Sequence, residues 1–219
     1  MLTTAVAAGA VLITLQGSSA RRSAVDPEPV LATPVATIAQ APPDFRPPTR
    51  TDAADALVRA FSGTLQLDAT RAEALVAGDF NGDQSPDLIA PVRPIEARLD
   101  DLNDTLTANW LVQDPAITPV PRTPRDPVVV AKHDRLLAVV HGYGPSGWRA
   151  RAARQAYLLT GGPDGSIEVR TWQSLVAQAA HAQRRLELPQ LRGDLVYDGT
   201  GQRFLYFAGF RYAWQTIAP

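Results

Sequence analysis

From Leu2 to Leu15 the chain is an uncharged, weakly polar run, apolar apart from Thr3, Thr4 and Thr14, and it closes on the small residues Gly17-Ser18-Ser19-Ala20. It is shorter than the roughly 20 residues a membrane-spanning helix needs, and it ends as a signal h-region does before a cut after Ala20. Residues 1–20 therefore read as a signal peptide or, with Arg21-Arg22 as its flank, a signal anchor; no Lys or Arg precedes the run. From Arg21 to Arg50 the periodicity disappears, and Pro27, Pro29, Pro34, Pro42, Pro43, Pro47 and Pro48 remove donors and fix φ. Residues 21–50 are expected to be a disordered, proline-rich linker. The globular domain is expected over 51–219.

Within that domain the pattern alternates between helical and strand periods. Ala53, Ala54, Leu57, Val58 and Phe61 share one helical face after the capping pair Thr51-Asp52, with Gly63 as a stop. Ala74–Ala77 and Leu88–Val92 read as short strands. Ile95, Leu99, Leu102 and Leu106 recur at helical spacing among acidic residues, which predicts an amphipathic helix. Pro115–Pro127 reads as a surface loop, and Val128–Val130 and Leu136–Val140 as strands. Gln155–Thr160 and Ser166–Arg170 flank Gly161-Gly162-Pro163-Asp164-Gly165, a hairpin signature. Trp172–Gln183 has helical character. The chain then returns to strands at Leu195–Tyr197, Phe204–Phe207 and Phe210–Trp214, whose aromatic residues read first as cross-strand packing and second as a sugar-stacking platform.

Between the two strands that follow the first helix lies Asp79-Phe-Asn-Gly-Asp-Gln-Ser-Pro-Asp87, with oxygen-bearing side chains at every second place. Calcium takes six to eight oxygen ligands at about 2.3–2.6 Å, and a loop offering oxygens at alternate positions can wrap it. Asp79, Asn81, Asp83, Ser85 and Asp87 are the candidate metal ligands, Ser85 through its carbonyl. Without thiol or imidazole ligands the set argues against zinc or copper. An Asx-rich turn without metal is the alternative reading. Gly78-Asp-Phe-Asn-Gly-Asp-Gln-Ser-Pro-Asp-Leu88 resembles the GDFNGDGxxDL signature of FG-GAP/VCBS-type repeats, found in integrin-like β-propellers and many exported bacterial proteins. The resemblance implies a calcium loop between two blade strands. The motif occurs once, and the residues after the linker are too few for a large propeller. The expected fold is accordingly α+β, mainly antiparallel β with a few short helices, with a blade-like strand pair around the acidic loop and not a full propeller. Gln84 departs from the signature, which has glycine there; a side chain in a left-handed turn costs roughly 1–2 kcal/mol.

Composition narrows the remaining classes. Hydrophobic residues make up 45% and charged ones 20% of the 219 residues, which suits a globular chain. The net charge of −1 provides no field for nucleic acid, so no nucleic-acid partner is expected, and a membrane only through the N-terminal anchor. Cysteine is absent, which excludes disulfides and thiolate sites. Lys132 is the sole lysine, a bias of the kind GC-rich bacterial genomes carry. Val139-Val-His-Gly-Tyr-Gly144 resembles the His-Gly turn of α/β-hydrolases, but no Gly-x-Ser-x-Gly elbow exists for it, so a Ser146–His141 pair is a minor alternative. His141, Tyr143 and Trp148 are instead the candidate ligand surface. His133, His141 and His181 are scattered, and Arg149, Arg151, Arg154, Arg184 and Arg185 read as solvated charges. Arg192-Gly193-Asp194 is the integrin-binding tripeptide, a match short enough to arise by chance. The expected function is an exported, extracytoplasmic (periplasmic or secreted), calcium-stabilised and non-enzymatic module that binds a protein or glycan. An extracytoplasmic hydrolase and a structural component of a cell-envelope complex are the alternatives.

Overall fold

The structure is a computed structural model that describes residues 41–116, 126–163, 165–181 and 191–217. The apolar run of residues 1–20, most of the expected linker, the proline-rich stretch 117–125 and the pair Arg184-Arg185 lie outside the described residues. Ala39–Pro219 forms one compact unit. Its elements are α1 (Arg50–Ala60), β1 (Leu65–Leu67), β2 (Val76–Gly78), β3 (Asp87–Pro94), α2 (Leu99–Asn103) and β4 (Trp110–Gln113). They continue with β5 (Leu136–Val140), β6 (Ala156–Thr160), β7 (Ile167–Arg170), α3 (Trp172–His181), β8 (Leu195–Asp198), β9 (Arg203–Phe207) and β10 (Tyr212–Thr216). The fold is α+β and mainly β, in two mostly antiparallel sheets, neither closed into a barrel or propeller.

The first sheet has the order β1-β3-β5-β6-β4, and β2 also pairs with β3. Strand period decides which face each residue serves. Leu88, Ala90 and Val92 of β3, with Leu136, Ala138 and Val140 of β5 and Leu158 of β6, meet Ala53, Ala56, Leu57 and Phe61 of α1 and its end. The intervening Ile89, Leu137, Val139, Tyr157 and Leu159 face Val196, Leu205 and Tyr212 of the second sheet, ordered β10-β9-β8-β7. That second sheet packs its other face, Tyr197 and Phe204, on Leu175 of α3. A sheet covered on both faces reads as continuous apolar sequence, which explains the run Leu136–Val140. Among the described residues no helix is long and apolar enough to cross a membrane.

Several local expectations change on folding. The Gly161–Gly165 turn does not close a hairpin: β6 has β5 on one edge and β4 on the other, so β7 crosses to the second sheet and pairs with β8. Val128–Val130 is not a strand; the Val130 N–H and C=O bond the Asn103 side chain at 2.8 and 2.9 Å instead of a ladder. The helix expected from Ile95 to Leu106 shrinks to a 3₁₀ turn and α2. There the Asp104 carboxylate accepts from the Leu106 N–H and the Thr107 hydroxyl, pulling the chain out of helix and leaving Leu106 94% exposed. α1 begins at Arg50, capped by Thr49, whose hydroxyl accepts the Asp52 N–H at 3.1 Å. Strands β1 and β4 escape sequence reading because three or four residues carry too little periodicity.

Candidate functional site

The acidic loop connects β2 to β3, whose register ends in the pair Gly78↔Asp87. Asp79, half-buried, turns over the loop: Oδ1 accepts the N–H groups of Gly82 and Asp83 at 2.8 and 3.0 Å, and Oδ2 accepts that of Gln84 at 3.0 Å. This doubling-back requires positive φ at Gly82 (77°) and at Gln84 (68°). Gln84 thus sits in the left-handed conformation that the signature reserves for glycine. Gln84→Gly is expected to raise stability by about 0.5–1 kcal/mol, because relief of the left-handed strain exceeds the added freedom of the unfolded chain. A rise in the urea midpoint at unchanged slope is the result to look for.

Asp83 is exposed, and its Oδ1 accepts the Ser85 N–H at 2.8 Å while Oδ2 accepts the Asn81 amide at 2.9 Å. Asp87 is 0% exposed. Its Oδ2 accepts the Phe80 and Asn81 N–H groups at 2.9 and 3.3 Å, and its Oδ1 accepts the Gly142 N–H at 2.7 Å. Burial drives the Asp87 carboxyl up to about 8, with the charges of Asp83 and Asp79 adding to it against the opposing backbone hydrogen bonds. Burial likewise raises Asp79. Among the described residues none of these three carboxylates forms an ion pair with Arg or Lys.

Two glycine-bearing segments clamp the loop. On one side the Trp148 N–H donates to the Pro86 carbonyl at 2.7 Å, and a Cβ on Gly142 or Gly147 would lie 2.2 or 2.3 Å from that oxygen. On the other, Asp194 donates its N–H to the Asp79 carbonyl at 2.6 Å and accepts the Asp79 N–H on Oδ2 at 3.0 Å. A Cβ on Gly193 would lie 2.3 Å from the Phe80 carbonyl. The tripeptide Arg192-Gly193-Asp194 is therefore a brace in which glycine admits close backbone approach. Sequence reading missed Asp194 because nothing local distinguishes a carboxylate that pairs across the fold from a solvated one.

The proposed ligand surface does not survive folding as a surface. Trp148 is 0% exposed in the α1-side core, and its ring carries the Arg149 guanidinium at 4.1 Å. His141 is 2% exposed and stands among the rings of Tyr157, Phe207 and Tyr212 at centroid distances of 5.0, 4.9 and 5.9 Å. The reason is the alternation of β5: the strand carries the chain into the space between the sheets, and His141 follows directly. Only Tyr143, 66% exposed, remains outside. Burial holds the His141 imidazole down to about 4. The second Asn81 amide hydrogen points at His141 Nδ1, 3.4 Å away, so neutral His141 donates from Nε2 to the Tyr212 hydroxyl at 2.8 Å. Burial raises the Tyr212 phenol well above its ordinary value, and the charge of Asp87 adds to this. Both ring nitrogens of His141 thus have partners other than Ser146, which is exposed.

As a calcium site, the loop has suitable chemistry, since its donors are hard carboxylate and amide oxygens. Its present geometry commits them elsewhere: a carboxylate offers about four acceptor positions, and Asp79 and Asp87 each give three to backbone N–H groups. Among the described residues no group of three or more His, Asp or Glu is placed to hold a metal ion. Asp83 keeps most capacity, and a cation would draw it from Asn81 and Ser85. In comparisons with protein families, curated proteins and solved structures, the chain matches none.

Proposed function

We propose that the chain is a non-enzymatic binding module of an exported protein, that the Asp79–Asp87 loop takes up calcium, and that the partner is a protein or glycan. The observation that carries this reading is the crowding of acidic groups in the loop. Three carboxylates share one turn, two of them raised by burial, and no cationic side chain pairs with them among the described residues. A divalent cation would favour the charged form of all three, against the burial that raises Asp79 and Asp87. Its resemblance to the FG-GAP/VCBS loop and the apolar run Leu2–Leu15 support the calcium and export parts of the reading. The binding role is supported by an open groove of about 370 Å³ whose lining joins five apolar residues, among them the 67% exposed Phe210, to the polar Gln113, Asp114, Asp126 and Arg211.

Thermal unfolding with and without calcium tests the loop. With a Kd on the order of 0.1 mM, 1 mM calcium adds about 1.4 kcal/mol of stability. For a domain of this size that raises Tm by about 3–5 °C. Asp83→Ala should abolish the shift, and magnesium at the same concentration should produce less of it. No shift at 10 mM calcium, or an equal shift in the Asp83→Ala protein, would rule the calcium loop out.

A further inference from the structure

The end of the proline-rich leader is not free of the domain. The Asp44 N–H donates to the Pro145 carbonyl at 2.8 Å. Arg46 grips the Asp44 carboxylate through Nε and Nη2 at 2.8 and 2.7 Å, which folds the segment into a local bracket. Arg149 then reaches across it: Nη1 donates to the Asp44 carbonyl at 3.4 Å, and Nη2 to the carbonyls of Arg46 and Pro47 at 3.1 and 3.2 Å. Stacking on the buried Trp148 ring fixes the guanidinium plane from below, so one side chain of the domain holds three carbonyls of the leader.

What this bracket covers is the acidic loop. Ala41 and Pro43 form one wall of a cavity of about 310 Å³ whose other walls are Asp83, Gln84 and Ser85 on one side and Gly144 and Pro145 on the other. Asp83 is the single charged residue of this lining. Ser85 is only 8% exposed. Pro42, Pro43, Pro47 and Pro48 keep the strap extended in either state, so docking it costs little chain entropy. Its described attachment is one backbone–backbone hydrogen bond plus the Arg149 contacts, few enough to be broken without unfolding the sheets.

We propose that Ala41–Pro48 is an autoinhibitory strap, latched by Arg149, which closes one side of the acidic loop and swings away before a cation reaches the buried Ser85 wall of the cavity. This rests on the reading of the loop as a binding site and assigns its regulation to the leader. A factor that draws on the leader opens the cavity, and occupancy of the cavity in turn weakens the latch, because the coupling is reciprocal.

The absence of cysteine makes a direct test available. A protein carrying Ser85→Cys as its single thiol is labelled with a thiol reagent in the presence of a chelator, so that the outcome is independent of calcium binding. Adding Arg149→Ala is expected to raise the labelling rate at least tenfold; Asp44→Ala, which removes the bracket from the leader's side, should do the same. Ala138→Cys, at a fully buried position in β5, reports global opening and should label at an unchanged rate in both backgrounds. Equal labelling of the Ser85→Cys protein with and without the latch would overturn the strap. A parallel acceleration in the Ser85→Cys and Ala138→Cys proteins would overturn it too.

Discussion

Gly147→Ala is expected to cost about 3–5 kcal/mol, a large share of the 5–15 kcal/mol that holds a domain of this kind together. Gly147 has φ of 56°, and its Cβ would stand 2.3 Å from the Pro86 carbonyl oxygen and 2.7 Å from both Cβ and Cδ of the proline ring. None of these atoms is the far end of a flexible side chain, so the loop and the 141–149 segment must separate. Separation breaks the 2.7 Å hydrogen bond from Trp148 to Pro86 and loosens a fully buried indole. Gly144 is the matched control: φ is 61°, but a Cβ there meets nothing within 4 Å. Gly144→Ala should cost only the left-handed strain, about 1–2 kcal/mol. Urea denaturation of the two variants separates close packing from backbone strain. If both lose the same amount, the clamp described for the loop is wrong.

How much of this was legible beforehand follows from which physical signal each part carries. The strand–loop–strand around Asp79 was readable because its alternating oxygens, its glycine and its flanking apolar runs all lie within 19 residues, 74–92. The left-handed Gln84 followed from the same short window. By contrast, the partners that hold the loop, Gly142, Gly147, Gly193 and Asp194, come from segments 55 to 115 residues away from the groups they meet. No local pattern announces them. The Gly161–Gly165 turn shows the same limit in the other direction: its residues fit a hairpin, but the occupied edges of β6 override turn chemistry. His141 and Trp148 drew attention as chemistry-bearing residues after a strand, and tertiary burial turned both into core. The leader was legible as proline-rich and extended, but its docking depends on Arg149, whose role is set by the indole beneath it.

Removing the Asp87 carboxylate should be the most damaging change within the loop itself. Asp87→Ala leaves the Phe80, Asn81 and Gly142 N–H groups without their acceptor, at a cost of about 3–5 kcal/mol. Asp87→Asn is a different experiment. Asparagine removes the titrating group, but its NH2 then faces either the Gly142 N–H or the Phe80 and Asn81 N–H groups, so the loss should be about 1–3 kcal/mol. The pH dependence then identifies the group. A carboxyl raised on folding contributes stability that is complete below its unfolded pKa near 4 and declines as pH rises to about 8. His141 acts oppositely: held down to about 4 in the fold, it contributes stability that is complete above about 6.5 and is lost as pH falls. Between pH 4 and 6.5 the two slopes cancel, since folding moves one proton on to Asp87 and one off His141. Above 6.5 Asp87 sets the slope, and Tyr212 is neutral throughout. Calcium-free wild type should therefore lose about 2 kcal/mol between pH 6.5 and 8, and Asp87→Asn should flatten most of that decline. Calcium flattens the wild-type decline: binding releases the protons, so its stabilisation must grow with pH over this window. A calcium effect that is larger at pH 6 than at pH 8 would mean that the cation does not engage Asp87.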